Sequence, residues 1–235
     1  MKARGVRKIN IAGGEPMLYP YLDDLCRLLK SMGFVVSIVS NGSLMTKEWI
    51  SRMSGIVDCI GISIDSPDED DEVEIGRGNG AINHIEHVKA IAKFVKKHDI
   101  RFKLNITVVR KSWNKDFTHL IDEMKPDRIK VFRVLTLKSA NDDRCDTWSI
   151  TDEQFAAFKE RHRGCENIVF EDNDDMVGSY LMFDPIGRWM VNKGSIKRFL
   201  PFDSYLCDEK SEVEIKKFYT RKGDYWDRTI ADYTI

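Results

Sequence analysis

The sequence has few of the features that mark secreted, membrane-bound or nucleic-acid-binding proteins. Its five cysteines are widely spaced and form no C-x-x-C pair, so the 235 residues contain neither a disulfide framework nor a zinc knuckle. No apolar run approaches the ~20 residues of a membrane span, and no apolar core of a signal peptide follows the basic first residues. Lys plus Arg number 37 against 38 Asp plus Glu, and a net charge of -1 predicts no binding to nucleic acid. These absences predict a reduced, soluble, cytoplasmic protein.

Common catalytic signatures are also missing. The sequence has no G-x-S-x-G elbow of a serine hydrolase and no H-E-x-x-H zinc motif. Its five histidines all fall in predicted helices, where we expect surface positions: His84, His87, His98, His119 and His162. We therefore predict no metal site built from the residues of this chain.

What the sequence does have is a regular alternation of strands and helices in its first 135 residues. Apolar runs typical of buried strands cover residues 6–12, 34–40, 56–64, 100–109 and 128–135. Helical apolar spacing fills the intervals between them, at 21–32, 46–54, 81–98 and 114–125. Thr46 is the expected N-cap of the second helix. Such alternation is typical of the α/β class, with a parallel sheet and right-handed crossovers.

The pattern changes in the second half of the chain. A helix at 149–162 is followed by a strand at 167–172 and by a hairpin turn at 184–187. These elements no longer alternate with the period of the first half. We therefore predict a repeating domain over residues 1–138 and a small α+β extension over residues 139–235.

Polar residues lie near the ends of all five predicted strands. The first three strands end in GGEP (13–16), SNGS (40–43) and SIDS (63–66). Turns favour Gly, Ser and Asn in any case, so one such ending would be weak support for a site. In parallel α/β sheets, however, functional sites lie at the carboxyl ends of the strands. The recurrence in successive strands therefore favours a common site at that edge.

The fourth and fifth predicted strands carry the strongest signal. Lys103 and Asn105 alternate with apolar residues in one strand, and Arg128 and Lys130 do so in the other. Strands of parallel sheets are normally apolar on both faces, and an unpaired buried cation costs several kcal/mol. If the apolar faces meet the helices, the polar residues form a pocket suited to a polyphosphate. The alternative is that Lys103 and Arg128 reach solvent at the strand starts or pair with acidic neighbours.

The loop IGRGNG (75–80) places Arg77 between two glycines. It lacks the P-loop pattern, but Arg77 is well placed to bind a carboxylate through two guanidinium nitrogens. The alternative is a flexible loop with a solvated arginine. The acidic run before it, DSPDEDDEVE (65–74), is expected to be a solvated loop.

Together these motifs resemble a known family. KINIAGGEP (8–16) looks like the GGE motif of radical S-adenosylmethionine (SAM) enzymes. In combination with VSIVSNGSL, IGISIDS, IGRGNG, FKLNITVVR and DRIKVFRVL, the sequence is similar to the viperin family. The resemblance continues through TDEQFAAFKERH and DNDDMVGSYLMFD and covers nearly the whole chain. It implies a partial (β/α)6 radical-SAM-type barrel, here without its first strand, and an extension that closes over the nucleotide site.

The resemblance also implies an activity. Viperins use SAM and a 4Fe–4S cluster to form a 5′-deoxyadenosyl radical, which takes a hydrogen from C4′ of a nucleoside triphosphate of the CTP or UTP class. Loss of the 3′-hydroxyl then gives a 3′-deoxy-3′,4′-didehydro nucleotide that serves antiviral defence. The implied partners are the nucleotide and a reducing protein such as a flavodoxin or ferredoxin, and the enzyme is expected to be a monomer.

The family's functional residues can be transferred to matching positions in this sequence. Those implied for SAM are Gly13, Gly14 and Glu15 at the methionine amino group, Ser63 and Arg77 at its carboxylate, Ser40 and Asn41 near the adenosyl part, and Asn105 near the riboses. Those implied for the triphosphate are Lys103, Arg128, Lys130 and, through a looser match of FYTRKGDYW, Arg221. Tyr180 matches a tyrosine expected to act in catalysis by supplying the final hydrogen or electron.

One part of the family pattern is absent. The family's cluster is held by C-x-x-x-C-x-x-C upstream of GGE, and no three of the five cysteines have this spacing. The sequence thus begins at what would be the second barrel strand. An internal start at Met1, a fragment and a true loss of the cluster all stay open, as does membrane attachment through a preceding segment. The alternative function is a cluster-free protein that sequesters or senses nucleoside triphosphates.

Overall fold

A six-stranded sheet is the main element of the computed structural model, which describes residues 6–78, 80–135, 145–176, 182–193 and 196–199. Its strands are β1 (Lys8–Ile11), β2 (Val35–Ser40), β3 (Cys59–Ser63), β4 (Arg101–Val108), β5 (Arg128–Arg133) and β6 (Ile168–Glu171). They lie in chain order, with β1 and β6 at the edges, and β1 to β5 pair in parallel. A smaller antiparallel sheet consists of β7 (Met182–Phe183), β8 (Trp189–Lys193) and β9 (Ile196–Phe199).

Helices connect the strands of the main sheet. Those before β4 are the 3-10 turn Pro16–Leu18, α1 (Leu22–Ser31), α2 (Lys47–Met53), α3 (Glu69–Ile75) and α4 (His84–Lys97). The later ones are α5 (Thr118–Met124), α6 (Cys145–Trp148), α7 (Asp152–Arg161) and α8 (Asn173–Met176). In the described part of the chain, no helix combines the length and apolar character that a membrane span requires.

The strand order decides between the two common α/β architectures. Doubly wound sheets reverse their strand order at a switch point, whereas β/α barrels keep chain order around the sheet. Here the order runs from β1 to β6 without reversal. The predicted α/β fold with a partial barrel is therefore confirmed.

The position of β6 differs from the sequence-based expectation, which assigns residues 167–172 to the extension. The strand instead lies beside β5, and the nitrogen of Ile129 donates to the carbonyl oxygen of Asn167 at 2.9 Å. A short apolar run does not reveal which sheet edge it joins, so the sequence pattern could not show this. The chain divides into two compact units, residues 1–134 with 150–170 and residues 135–149 with 171–235.

The two faces of the main sheet differ in polarity. One face packs against helices, and its fully buried residues include Ile38, Ile60, Phe102, Leu104 and Val131. Successive side chains of a strand point to opposite faces, so the alternating polar residues of β4 and β5 lie together on the other face. The alternation thus separates a hydrophobic core from a polar surface of the sheet.

Short side chains and one glycine set the boundaries of the helices that follow β2 and β3. Thr46 Oγ1 accepts from the nitrogen of Trp49 at 3.2 Å and begins α2, as predicted. Asn83 Oδ1 accepts from the nitrogen of Glu86 at 2.8 Å and begins α4. Gly76 ends α3 with a left-handed φ of 93°, which favours glycine. The chain therefore turns sharply at the residue before Arg77.

Two expectations about polar residues are wrong. The acidic run 65–74 is not a solvated loop, because α3 occupies much of it and Glu72 is fully buried. Acidic residues in the first turn of a helix are stabilised by the helix dipole, which lets this charged segment fold. His84 and His162 are buried, at 3% and 1% exposure, rather than on the surface. Each packs with a backbone hydrogen-bond partner: the carbonyl of Ser63 for His84, and Phe117 and Phe158 for His162.

Candidate functional site

Two rows of register partners, most of them polar, cross β3, β4 and β5 on the polar face. The residues in register are Gly61, Lys103 and Arg128 in the first row, and Ser63, Asn105 and Lys130 in the second. Register partners in neighbouring strands present their side chains on the same face of a sheet. Asn105 and Lys130 are only 5% and 7% exposed. The structure thus brings the predicted triphosphate residues Lys103, Arg128 and Lys130 together with Asn105.

β3 has no side chain at the point where Lys103 crosses it. A Cβ atom on Gly61 would lie 2.7 Å from Lys103 Cε and 3.2 Å from Asn105 Nδ2, and the first distance is too short for real atoms. The stem of Lys103 therefore occupies the space above Gly61, beside Asn105. Gly61 was not predicted as a site residue, although glycine inside a strand is a known sign of close approach by another group.

Asn105 carries an acceptor that the described residues do not satisfy. Its Oδ1 is buried and has no hydrogen-bond partner within the described part of the chain. Leaving a buried polar atom unpaired costs about 1–3 kcal/mol, so such atoms are rare. The atom lies between Ser63 and Lys130 in the second row. It is therefore suited to accept a hydrogen bond from a hydroxyl group of a ligand.

The carboxylate of Glu15 ties the turn after β1 to the end of β2. Oε1 accepts from the Ser40 hydroxyl at 2.7 Å and from the nitrogen of Met17 at 3.0 Å. Oε2 accepts from the nitrogen of Asn41 at 2.8 Å. Gly13 has a φ of 133°, a conformation that favours glycine, and both it and Gly14 are exposed. Glu15 thus fixes the turn while its glycines stay accessible.

Ser40 and Asn41 also use their side chains inside their own loop. Ser40 Oγ accepts from the nitrogen of Gly42 at 2.9 Å, and Asn41 Oδ1 accepts from the nitrogen of Ser43 at 2.8 Å. Ser40 is 3% exposed. These contacts shape the loop after β2, and a contact with an adenosyl group stays a prediction.

A buried carboxylate orients Arg77. Arg77 Nε lies 2.6 Å from Asp65 Oδ2, and Asp65 Oδ1 accepts from the nitrogen of Thr107 at 2.7 Å. The Asp65 side chain is 4% exposed, whereas that of Arg77 is 29% exposed. Among the described residues, no hydrogen bond engages the terminal nitrogens of Arg77. The outer edge of its guanidinium can therefore bind a carboxylate at the end of β3.

A second buried carboxylate lies behind this ion pair. Glu72 Oε1 accepts from the nitrogens of Asp65 at 2.7 Å and Ser66 at 2.6 Å. Glu72 Oε2 is buried without a hydrogen bond in the described chain and lies 3.4 Å from His84 Nε2. Burial, and next the charge of Asp65, raise the pKa of Glu72 to about 8, and burial lowers the pKa of His84. The contact is therefore between two neutral groups near neutral pH and not an ion pair.

Asp65, Glu72 and His84 were not predicted as individual site residues, although Asp65 lies in the strand ending SIDS (63–66). No motif predicts their roles, because these come from the way α3 and α4 fold back onto the end of β3. Two other predicted site residues, Tyr180 and Arg221, lie outside the described residues.

The described residues contain no metal site. Among them, no group of three or more His, Cys, Asp or Glu could hold a metal ion. Cys26 is buried in α1, and burial raises its pKa to about 11, which disfavours the thiolate form that binds metals. Cys59 and Cys165 are half-buried free cysteines on different elements.

Comparisons with known proteins agree with the fold and the motifs. The family model of the radical SAM superfamily matches residues 1–124. An S-adenosylmethionine-dependent nucleotide dehydratase from a Thermoplasmatales archaeon (strain ISO4-H5) is 56% identical over 226 residues, which cover 96% of this chain and 81% of that protein. The chain belongs to the nucleotide dehydratases of the radical SAM superfamily. This membership confirms the resemblance that the sequence motifs indicated.

Further nucleotide dehydratases and radical SAM structures extend the comparison. A nucleotide dehydratase from Lacinutrix mariniflava is 34% identical over 230 residues, and this chain spans 48% of that protein's length. A solved radical SAM methyltransferase from Sphaerobacter thermophilus has a TM-score of 0.55 at 15% identity, covering 73% of this chain and 54% of that one. The likeness to the methyltransferase shows the shared radical SAM fold.

The described residues of this radical SAM enzyme fit SAM but not the cluster of the superfamily. Arg77 offers its outer nitrogens to a carboxylate, Asn105 offers an unpaired acceptor to a hydroxyl, and nothing lies within 4 Å of a Cβ built on Gly13 or Gly14. By contrast, the sequence lacks C-x-x-x-C-x-x-C, and the described residues supply no alternative ligand group.

Proposed function

We propose that this chain binds SAM and a nucleoside triphosphate side by side on the polar face of the sheet, and that it acts as a nucleotide dehydratase. The row Ser63–Asn105–Lys130 carries this proposal. It joins the carboxylate-binding end of β3 to the cations of β5 across three adjacent strands. Neighbouring strands are about 4.8 Å apart, so the row spans about 10 Å, which is room for a ribose between the two ends.

The cations support a polyanionic ligand at one end of the row. Lys103 of β4 and Arg128 and Lys130 of β5 lie on the same face of two adjacent strands. Lys130 is 7% exposed. Three cationic side chains grouped on one face suit a polyanion, and a triphosphate supplies several anionic oxygens. Arg and Lys are also the side chains that most often bind phosphates. We expect the substrate to belong to the CTP or UTP class, as the family likeness implies. We also expect Arg221 to bind the triphosphate together with these three cations.

The other end of the row supports the methionine part of SAM. Arg77 would bind the carboxylate through its outer nitrogens, next to the Ser63 hydroxyl, and the Gly13–Gly14 turn would contact the amino group. Bound SAM would supply the 5′-deoxyadenosyl group for hydrogen abstraction at C4′ of the nucleotide, and a reductant would supply the electron for its release. Asn105 would hold ribose hydroxyls in place between the two ends. Tyr180 is proposed to supply the final hydrogen or electron.

Nucleotide binding without radical chemistry is the second candidate. The described residues contain the two polar rows but no set of cluster ligands. A protein of this kind would sequester or sense nucleoside triphosphates and would need no reducing partner.

Calorimetry with CTP and UTP tests the triphosphate assignment, which both candidates share. The double substitution Lys103→Ala with Lys130→Ala should weaken triphosphate binding by about a hundredfold or more, because each charge-assisted contact contributes about 1.5–3 kcal/mol. The matched control is Lys93→Ala with Lys97→Ala, which removes two exposed lysines of α4 and the same net charge. Unchanged affinity of the first variant, with an intact circular dichroism spectrum, would refute the assignment.

A product assay separates the two candidates. The full-length protein, with any residues that precede this sequence, is incubated anaerobically with iron, sulfide, a reductant, SAM and the triphosphate, and the nucleotides are analysed by mass spectrometry. A 3′-deoxy-3′,4′-didehydro nucleotide together with 5′-deoxyadenosine would support the dehydratase. Tight triphosphate binding with neither product would favour the binding protein.

A further inference from the structure

Glu72 and His84 form a buried pair behind Arg77 that the proposed reaction leaves unexplained. Their exposed fractions are 0% and 3%. His84 Nε2 lies 3.4 Å from Glu72 Oε2 and 3.2 Å from the carbonyl oxygen of Ser63. In a neutral imidazole this nitrogen either carries a proton or does not, so it donates to Ser63 or accepts from Glu72, but not both. The protonation state of Glu72 therefore affects whether His84 can donate a hydrogen bond to Ser63, at the end of β3.

The two oxygens of Glu72 have different surroundings. Oε1 accepts from two backbone nitrogens, those of Asp65 and Ser66, as the carbonyl oxygen of a protonated carboxyl can. Oε2 is buried without a hydrogen bond in the described chain, which leaves it as the position for the proton. Ionisation would spread a charge over both oxygens, of which only Oε1 has hydrogen-bond donors in the described chain. Burial and the missing donor at Oε2 therefore favour a protonated side chain, and they outweigh the two backbone hydrogen bonds at Oε1, which favour the ionised form.

The charged groups around Glu72 come from the segments of β3, α3 and α4 and from the loop between β4 and α5. Asp65 follows β3 and already binds Arg77 at 2.6 Å. Glu69 accepts from the nitrogens of His84 and Ile85 and so caps α4. A further acid of α3, Asp71, lies 2.9 Å from the ammonium group of Lys115. The charge of Arg77 acts on the Glu72 carboxyl and favours its ionised form, so an ionised Glu72 would compete with Asp65 for that guanidinium.

We propose that Glu72 is a positioning residue of the SAM site and that it works in its protonated form. It ties the turn after β3 to α3 and leaves Arg77 to Asp65 and to the carboxylate of the ligand. Ionised Glu72 would draw Arg77 toward α3 and weaken carboxylate binding. This role rests on the proposed SAM site, and the pKa of about 8 places the change in mildly alkaline solution.

The test compares the pH dependence of SAM binding in three proteins by calorimetry. The wild type should lose about tenfold in affinity between about pH 7 and about pH 9, relative to Glu72→Gln, because about a tenth of the carboxyl stays protonated one unit above its pKa. The Gln amide mimics the protonated acid, so that variant should show only the titration of the ligand. Glu74→Gln, an exposed carboxylate of the same helix, should follow the wild type.

Thermal unfolding tests the same proton without a ligand. The folded pKa of Glu72 lies above its ordinary value of 4.5, so the folded state keeps a proton that the unfolded state loses. The contribution of Glu72 to stability should therefore fall as the pH rises from about 4.5 to about 8, and stay constant above. The melting temperature of Glu72→Gln should rise relative to that of the wild type across this window.

The possible outcomes separate the positioning role from the SAM site itself. Parallel binding profiles of the wild type and Glu72→Gln, with SAM bound by both, would overturn the role of Glu72 alone. No SAM binding by the wild type at any pH would overturn the proposed SAM site and with it this role. Diverging binding profiles and a diverging melting temperature would support both.

Discussion

The two ends of the main sheet use carboxylates in different ways. At the amino ends, Asp58 lies just before β3 and Asp127 lies just before β5. Each forms two hydrogen bonds with the backbone of one residue in the preceding strand, one through its own N–H and one through its carboxylate. Asp58 donates its N–H to Val36 O and accepts from Val36 N, both at 2.8 Å. Asp127 repeats the pattern with Phe102, at 2.9 and 2.7 Å. These carboxylates complete the hydrogen bonds of the sheet where strands begin.

At the carboxyl ends, the carboxylates crowd together and leave atoms unpaired. Asp65 and Glu72 are almost fully buried next to each other, and Glu72 Oε2 has no hydrogen bond in the described chain. Asn105 Oδ1, on the polar face nearby, is in the same condition. Unpaired buried atoms reduce stability, and such sites are typical of regions shaped for binding. The comparison indicates that the carboxylates before β3 and β5 serve stability, whereas those after β3 serve the proposed SAM site.

The largest effect expected from this comparison is on stability at the amino end. Asp58→Ala removes the acceptor of the Val36 nitrogen and the partner of Lys30, and should lower the free energy of unfolding by about 2 kcal/mol. Binding of nucleoside triphosphates should not change. Denaturant unfolding and calorimetry measure the two quantities. Asp24→Ala, an exposed acid of α1, serves as the control and should change stability by only a few tenths of a kcal/mol. A loss of triphosphate affinity in Asp58→Ala would break the division between the two ends.

A smaller stability effect with a clear binding effect is expected at the carboxyl end. Asp65→Asn keeps an oxygen for the Thr107 nitrogen but places no anion beside Arg77. We expect SAM affinity to fall about tenfold and the free energy of unfolding by about 1 kcal/mol. The pKa of Glu72 should also move down toward its ordinary value, because the charge of Asp65 helps to raise it. Unchanged SAM affinity by calorimetry would contradict the orienting role of Asp65.

The sequence predicts well those features that depend on local periodicity. Lys103 and Asn105 lie on the polar face because side chains alternate along any strand, and this needs no knowledge of the neighbours. The N-cap at Thr46 and the position of Arg77 after a glycine are local in the same sense. The α/β class follows from the order of such local elements.

The sequence does not predict features that depend on contacts between distant segments. Gly61 matters because Lys103 lies above it in the next strand. In the sequence, nothing distinguishes Glu72 from the other acids of the charged run 65–74. Its burial depends on how α3 packs against the end of β3. β6 joins the main sheet rather than the extension for a similar reason, because an apolar run does not specify its partner.

The smallest expected effect concerns the backbone of the turn after β1. Gly13 has a φ of 133°, whereas the φ of Gly14 lies outside the left-handed region, and a Cβ on either residue would meet nothing within 4 Å. Gly13→Ala should therefore lower the free energy of unfolding by about 1 kcal/mol through backbone strain alone. Gly14→Ala is the matched control and should be neutral or slightly stabilising. Denaturant unfolding of both variants measures the difference. Equal effects would mean that the turn adapts to a side chain, and the carboxyl end would then be less rigidly shaped than the Glu15 contacts indicate.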